Sequence, residues 1–278
     1  MPMSRAIIAP VCLVILIALC GCRGIGGVRV EPRQPLALTP EEAAKFLEEG
    51  RTLFAMQPRT LERVTRAAQL LEQSARTLRD DYNPQWQAAQ ALAFLAENVS
   101  QPAARKDAAK RGIVLARHAR ELKPDGVEGH YWYALNVGLL ADVDRTYGLD
   151  AVNEMQAALK RAIELDERYD FGGPLCVLGL LHLRTPAPPV SIGSPRKGLR
   201  LLQRAVDLFP DYPENYLYLA EALRDTGRPD EARKAIDRVL QAPPLPDQQF
   251  ESARWKGDAQ KLLSELPGAS LNSHGGIQ

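Results

Sequence analysis

The feature that most constrains the fold is a short unit near the C-terminus in which apolar, small and turn-forming residues recur at helical spacing. Its members are Tyr216, Leu219, Ala220, Leu223, Gly227, Ala232, Ile236, Val239 and Pro244. Steps of three and four residues place the apolar side chains on one face of each of two helices. Gly227 permits the turn between the helices, and Pro244 ends the second helix. The unit therefore predicts a helix pair.

The second half of this unit recurs three times upstream. Its members there are Gly198, Leu202, Ala205 and Pro210, then Met155, Leu159 and Ala162, then Gly112, Ala116, Ala119 and Pro124. The position that ends the second helix of each unit, Pro244 in the most regular one, falls at residues 124, 167, 210 and 244. Successive units therefore end 43, 43 and 34 residues apart. The most regular unit resembles the 34-residue tetratricopeptide repeat, whose helix pairs stack to bury a continuous core. This resemblance implies an all-α fold, a superhelical stack of tetratricopeptide-like helix pairs.

Capping and breaking signals set the predicted boundaries. Thr39-Pro40-Glu41-Glu42 has the residues of a capping box, with proline at the first helical position. Apolar spacing is helical from there to Leu266, and Val190-Ser191-Ile192 is the short strand candidate. The predicted segments are 39–266 for the repeat domain, Pro40–Met56 and Arg59–Arg79 for its first helix pair, Asp247–Leu266 for a C-terminal capping helix, and 267–278 for a disordered tail.

The N-terminus has the pattern of an export signal with a lipid attachment site. Arg5 precedes an apolar stretch that is too short for a confident membrane span. The stretch ends in Leu19-Cys20-Gly21-Cys22, which resembles a lipobox, although a cysteine before Gly21 is uncommon. The prediction is a signal peptide over 1–21, lipid attachment at Cys22 and a flexible tether over 22–38. A plain cleaved signal or an uncleaved anchor is the alternative.

Charge and histidine placement narrow the class of function. Lys plus Arg total 35 and Asp plus Glu total 34, without a basic stripe, which argues against a nucleic-acid partner. The histidines (His118, His130, His182 and His274) are scattered and show no metal-ligand or catalytic spacing. Cys176 lies in an apolar run and is expected to pack in the core. The sequence therefore predicts a protein that is not an enzyme and binds no cofactor or metal.

The first helices of the repeats carry apolar residues at positions that usually line the concave surface. The candidate groove consists of Tyr131, Leu135, Leu139, Leu180, Leu183, Glu221 and Arg224, the last two from the more polar final repeat. Apolar residues there predict either a bound apolar ligand or a filled groove in which these residues are core. The proline-rich insert 184–196 either gates this groove or is a loop without a role in binding.

A second resemblance covers residues 125–266. The stretches that carry it are Gly173–Leu181, Thr185-Pro186, Ile192–Gly198 and Ala205–Pro210. They resemble the T component associated with TRAP transporters, a family of periplasmic tetratricopeptide lipoproteins. Gly193-Ser194 stands where that family tends to have Gly-Asp, so an acid-dependent contact is not expected there.

The resemblance implies a periplasmic solute-binding protein as partner, further copies of this chain, and a hydrophobic organic acid as ligand. The expected function is an accessory to solute transport, anchored to the cell envelope and facing the periplasm. Arg23 follows Cys22 where an aspartate would signal inner-membrane retention, so the outer membrane is favoured. The alternative is an envelope scaffold that docks peptide segments and binds no small ligand.

Overall fold

The computed structural model describes residues 24–30, 38–245 and 248–267, and these contain helices and no strand. The helices are α1 (Pro40–Ala55), α2 (Leu61–Thr77), α3 (Tyr82–Asn98), α4 (Pro102–Leu122), α5 (Val127–Val143), α6 (Gly148–Asp166), α7 (Tyr169–Arg184), α8 (Pro195–Leu208), α9 (Pro213–Asp225), α10 (Pro229–Gln241) and α11 (Gln249–Glu265). The predicted all-α class is confirmed. The strand candidate 190–192 lies instead in the loop between α7 and α8.

The helix starts follow local sequence. At α1 the Thr39 hydroxyl accepts from the Glu42 N–H at 3.2 Å, and the Thr39 N–H donates to the Glu42 carboxylate at 2.8 Å. This is the predicted capping box, which satisfies two backbone donors that a helix start otherwise leaves unpaired. Proline occupies the first turn of α1, α4, α8, α9 and α10, where its missing N–H costs nothing.

The helices stack in order along the chain. Each packs against the next, and each odd-numbered helix from α1 to α9 also contacts the following odd-numbered one. The odd-numbered helices therefore form an inner layer and the even-numbered helices an outer layer, as in a superhelical repeat. Close approach depends on small residues: a Cβ added to Gly198 of α8 would lie 2.7 Å from the Gly179 carbonyl oxygen of α7. Ala220 and Ala232, both fully buried, occupy the equivalent contact of α9 with α10.

The core divides into two apolar clusters that meet at α7. The first runs from α1 to α7, and the second from α7 to α11. Val177 of α7 belongs to the first cluster, whereas Cys176 and Leu180 belong to the second. Cys176 is buried as expected, and its thiol donates to the Asn215 side-chain oxygen at 3.2 Å. Helix α7 thus joins the two halves of the stack.

Part of the segment predicted as a tether packs against the body. Within 24–30, Ile25 and Val28 are buried in the first apolar cluster because both side chains enter the core beside α4 and α6. Cys22, the signal region 1–21 and the tail beyond residue 267 lie outside the described residues. None of the described helices combines the length and apolar character needed to cross a bilayer.

The insert between α7 and α8 folds back onto the end of α7. The Ser194 N–H donates to the His182 carbonyl at 2.8 Å, and the Gly193 N–H donates to the Pro186 carbonyl at 2.8 Å. The His182 Nδ1 lies 2.9 Å from the Ile192 carbonyl oxygen. A Cβ at Gly193 would lie 2.0 Å from the Thr185 carbonyl oxygen, so this turn requires glycine. These hydrogen bonds hold the loop as a compact cap on α7.

Candidate functional site

The apolar members of the predicted groove are packed to different degrees. Tyr131 has no exposed surface and Leu180 is 4% exposed, so both are core residues. Leu135 and Leu139 are half-buried against the first apolar cluster, and Leu183 is half-buried against the second. The five side chains therefore do not share one open surface.

The two charged members of the predicted groove have separate partners. Glu221 of α9 accepts from Arg184 of α7 at 3.0 Å, and burial raises the pKa of this carboxyl. Arg224 donates to Glu265 of α11 at 2.5 Å and to its neighbour Asp225 at 2.9 Å. Both side chains thus hold neighbouring helices together.

The C-terminal helix α11 contacts residues of the N-terminal repeat as well as its neighbours in the stack. Arg59, in the turn between α1 and α2, donates to Glu251 of α11 at 3.2 Å, with side chains only 1% and 3% exposed. Arg254 of α11 lies 3.6 Å from Glu97 at the end of α3. Trp255 of α11 donates to Glu214 of α9 at 3.1 Å. Helix α11 therefore caps α10 and also covers part of the inner surface.

The described structure also contains an open cleft of about 700 Å³. It is lined by Arg51, Phe54, Ala55, Leu71, Trp86, Gln87, Gln90, Glu128, Arg168, Tyr169, Asp170, Phe171 and Phe209. Five of these are aromatic, and they come from α1, α3, the start of α7 and the end of α8. The volume lies within the usual range for ligand sites, and aromatic walls are typical of sites that bind apolar groups.

One wall of the cleft is a turn with unusual backbone geometry. Asp170, Phe171 and Gly172 all adopt left-handed conformations, with φ values of 49°, 54° and 76°. Phenylalanine is rarely found in this region because its Cβ crowds the backbone. Strained residues of this kind persist only where surrounding contacts hold them, and they concentrate at functional sites.

Contacts from other repeats hold this turn in place. The Tyr131 hydroxyl donates to the Asp170 carboxylate at 2.7 Å, and the Asn215 side-chain amide donates to the Phe171 carbonyl at 3.1 Å. The Phe171 ring stacks on Tyr212 with centroids 4.3 Å apart. Tyr131, predicted to face a groove, thus supports the cleft from behind.

Gln87, one of the residues that line the cleft, has a buried side-chain oxygen without a hydrogen-bond partner in the described structure. Gln87 is 8% exposed, and its side-chain oxygen accepts no hydrogen bond within the described part of the chain. A buried acceptor left unpaired costs about 1–3 kcal/mol, which a bound N–H donor would recover. The adjacent Trp86 ring is half-buried and presents an apolar surface beside this acceptor.

Four ionisable groups on α3, α5 and α7 have shifted pKa values, and of these Tyr169 lines the cleft. Burial and the hydrogen bond to Glu128 raise the pKa of the Tyr82 hydroxyl, and burial raises that of Tyr169, so both stay protonated. Burial also lowers the pKa of the His130 and His182 imidazoles, whose ring nitrogens lie 2.9 Å from the Pro124 and Ile192 carbonyl oxygens. Among the described residues no group of side chains could hold a metal ion.

The sequence prediction did not identify the cleft. Tyr169 and Phe171 lie at the start of α7, and Phe209 directly follows α8, so all three are outside the repeat positions that the motif specifies. The available signal is the run Tyr169-Asp170-Phe171-Gly172-Gly173, which places two aromatic residues and two glycines directly after the end of a repeat unit. Such a run indicates a turn whose rings are exposed for packing or binding.

A second, smaller cavity lies among α5, α6 and α7. It measures about 60 Å³ and is lined almost entirely by apolar groups. Its lining includes Ala141, Val152, Met155, Leu180 and Arg145. Leu180, a member of the predicted groove, therefore lines this cavity.

Comparison with known families gives two partial matches. The family described as Regulator of microtubule dynamics protein 1-3 matches residues 46–172. The family described as Tetratricopeptide repeat matches residues 193–254. No curated protein matches the chain.

Several solved structures are similar to this chain. A thermophilic TPR protein from Thermus thermophilus is 20% identical with a TM-score of 0.59, over 78% of this chain and 99% of that chain. A MamA protein is 16% identical with a TM-score of 0.47, over 73% and 93% of the two chains. MamA from Desulfovibrio magneticus RS-1 is 18% identical with a TM-score of 0.44, over 77% and 96%.

The fold follows from these observations taken together. The described helices stack in pairs, small residues mark their close contacts, and the Thermus structure shares the arrangement along most of both chains. The tetratricopeptide match covers α8 to α10, where the sequence repeat is most regular. The chain is a helical-repeat protein with the tetratricopeptide fold.

Proposed function

We propose that this protein is a non-enzymatic, lipid-anchored scaffold of the cell envelope that binds an extended segment of a partner protein in the aromatic cleft. The observation that carries the proposal is the open cleft of about 700 Å³, whose walls hold five aromatic side chains and Gln87, a buried residue whose side-chain oxygen is unpaired among the described residues. An extended polypeptide supplies backbone N–H donors for such an acceptor and side chains for the rings. Arginine and aromatic residues, which dominate binding energy at protein interfaces, supply much of the lining.

The cleft is rigid enough for such binding. The left-handed turn is held by Tyr131, Asn215 and Tyr212, so the rings of Tyr169 and Phe171 are in place before a partner arrives. Binding to a prearranged surface loses less conformational entropy than binding to a mobile one. At the rim, the exposed Arg51 and Arg168 favour a segment that carries a carboxylate.

Photo-crosslinking tests this proposal. A photoreactive amino acid at Arg51, on the rim of the cleft, is expected to form a specific adduct with a partner protein in intact cells. The control position is Gln69, exposed on the outer helix α2. Gln87→Leu should remove the adduct at position 51 because the buried acceptor is lost. Equal adducts at both positions, or adducts unaffected by Gln87→Leu, would contradict the proposal.

Lipid attachment is tested separately. Because Leu19–Cys22 resembles a lipobox, Cys22→Ser should abolish fatty-acid labelling and release the protein from membranes. The control is Cys20→Ser, which leaves the proposed attachment residue intact and should keep the label. Unchanged labelling in Cys22→Ser would overturn Cys22 as the attachment residue, and wild-type protein without any label would overturn the anchor and the location proposed from it.

A second candidate function is that of a transport accessory that binds an apolar organic acid. The favouring observation is the cavity beside Leu180, with apolar walls and Arg145 at its lining. Its partners would be a periplasmic solute-binding protein and further copies of this chain. The cavity of about 60 Å³ must widen to admit such a ligand, because ligand sites usually measure about 300–1,000 Å³. If it widens and opens to water, Leu180→Asp should abolish binding of a medium-chain fatty acid while the helical signal persists. Unfolding of this variant would favour the scaffold, because a closed core does not tolerate an unpaired carboxylate.

A further inference from the structure

Residues 24–30 form a strap, here called the N-terminal strap, that is fastened to the outer side of the repeat domain. Ile25 has no exposed surface, and its N–H donates to the Asp150 carboxylate at the start of α6. Arg117 of α4 donates to the Ile25 carbonyl at 2.9 Å. Both backbone groups and the side chain of Ile25 are therefore held by the body.

The strap shortens the distance between the domain and Cys22. An extended chain spans at most about 3.6 Å per residue, so the Cα of Cys22 lies within roughly 7 Å of that of Gly24. If the body began at residue 38, the same calculation would allow a separation of about 58 Å. A lipid on Cys22 therefore leaves the domain little freedom to move away from the bilayer. This step rests on the proposed lipid anchor.

The surface around the strap has the charge that a bilayer of anionic lipids attracts. Arg29 and Lys110 line a cavity of about 370 Å³ together with Gly24 and Tyr147. Arg145 is exposed, and Leu149, adjacent to Asp150, is 43% exposed.

The acidic groups near this surface are engaged with neighbouring residues. Asp150 accepts from the strap, Asp144 pairs with Lys106 at 2.6 Å, and Glu154 accepts from Tyr133 at 3.1 Å. Lys106 thus compensates the charge of Asp144, and Asp150 and Glu154 are directed towards neutral donors of the fold, whereas Arg29 and Lys110 border solvent. Basic side chains next to an anchored chain bind anionic headgroups, and an apolar side chain among them inserts at the interface.

We propose that the N-terminal strap orients the domain on the membrane, with Arg29, Lys110, Arg145 and Leu149 against the headgroups of anionic phospholipids. The acyl chains on Cys22 and the basic surface then both bind the membrane. Because the strap is fastened to the domain, these two contacts determine the orientation of the domain. Helix α10 and its neighbours, far along the stack from this surface, face away from the bilayer.

Depth measurement on the lipidated full-length protein tests this orientation. Leu149→Cys and, as a control, Lys234→Cys on α10 would each be labelled with an environment-sensitive fluorophore. The other cysteines do not compete for the label, because Cys176 is buried and the lipid occupies Cys22 in the lipidated protein. The proteins are reconstituted in phosphatidylethanolamine–phosphatidylglycerol vesicles that contain headgroup-quencher lipid. Quenching is expected at position 149 and not at position 234.

Two variants test separately how the docked strap and the basic charge contribute to the orientation. Ile25→Asp should detach the strap and remove the quenching at position 149, while the protein still floats with the vesicles. Arg29→Glu combined with Lys110→Glu, a surface change that does not touch the core, should reduce the quenching on anionic vesicles. Circular dichroism confirms that each variant is folded.

The outcomes distinguish the two proposals. Wild-type protein that does not float with vesicles overturns the lipid anchor and this orientation with it. Protein that floats with equal quenching at both positions overturns the orientation alone. Quenching at position 149 that survives both Ile25→Asp and the double charge reversal also overturns it.

Discussion

The turn between α9 and α10 and the turn in the first residues of α7 both place a glycine in the left-handed region, yet they depend on different contacts. At the first, Gly227 has φ 75° and its N–H donates to Arg224, three residues earlier, at 3.0 Å. At the second, Gly172 has φ 76° and is preceded by left-handed Asp170 and Phe171. That turn is held by Tyr131 and Asn215, which lie 39 and 44 residues away in sequence.

The difference shows how a repeat protein acquires a site. A turn closed by its own neighbours needs only local residues and recurs wherever the motif recurs. A turn held by side chains of two other repeats is specific to one place in the stack, so it can depart from the motif and present aromatic rings. The cleft lies beside the second kind of turn, and helix α11 adds a further long-range contact through Arg59 and Glu251.

The largest effect is expected at the long-range contact of α11. Arg59→Met leaves Glu251 buried without its partner, which should lower the free energy of unfolding by about 3–5 kcal/mol. Arg228→Met is the matched control, because Arg228 and Glu231 form an exposed pair, 46% and 51% accessible, worth at most about 1 kcal/mol. Urea unfolding measures both, and the double variant Arg59→Met with Glu251→Met should recover most of the loss. Equal losses in Arg59→Met and Arg228→Met would show that α11 does not close on the N-terminal repeat.

The next effect tests the locally determined pair. Ala220→Leu and Ala232→Leu should each lower the free energy of unfolding by roughly 1–3 kcal/mol, because both alanines are fully buried where α9 meets α10. Ala253→Leu, at an exposed position of α11, should change it little. Thermal denaturation followed by circular dichroism gives the comparison. If neither buried variant melts earlier than the control, the register assigned to this pair is wrong.

A smaller effect compares the two glycines directly. Gly227→Ala should lower the free energy of unfolding by about 1–2 kcal/mol, the penalty of a left-handed residue that has a Cβ. No further loss is expected, because no neighbouring atom lies within 4 Å of the added carbon. Gly172→Ala should cost more, since its Cβ would also lie 3.3 Å from the Ala205 Cβ and 3.6 Å from the Phe209 ring. Chemical denaturation of the two variants measures both losses of unfolding free energy. A larger loss at Gly227 would reverse the comparison.

The smallest effect is a pH dependence of the unfolding free energy that arises from one histidine in α5 and one in α7. Burial lowers the pKa of His130 and His182 below the ordinary value of 6.5, so the unfolded chain binds more protons than the folded one just below that pH. Stability from the neutral imidazoles is therefore present above pH 6.5 and falls as the pH drops through the folded pKa. His130→Gln should reduce the slope of unfolding free energy against pH in this window. His118→Gln, with a half-exposed imidazole, is the control. Equal slopes in both variants and the wild type would contradict the assignment.

Local sequence determined the helices and their order. The capping box at Thr39, the small residues Ala220 and Ala232 and the turn at Gly227 act through neighbours a few residues away, so their pattern could be interpreted without a structure. The all-α class and the repeat architecture follow from that pattern. The last predicted helix, Asp247–Leu266, matches α11 to within two residues.

Tertiary structure decided where these elements form a cleft. Tyr131 and Leu180 occupy positions that face a groove in a regular repeat, but the first supports the Asp170 turn and the second packs in the core. The hydrogen bond of Arg59 to α11 joins residues more than a hundred positions apart in sequence, and so does the hydrogen bond of Ile25 to Asp150. Helical periodicity specifies which face of each helix is apolar, and only the packing of distant repeats determines what that face contacts.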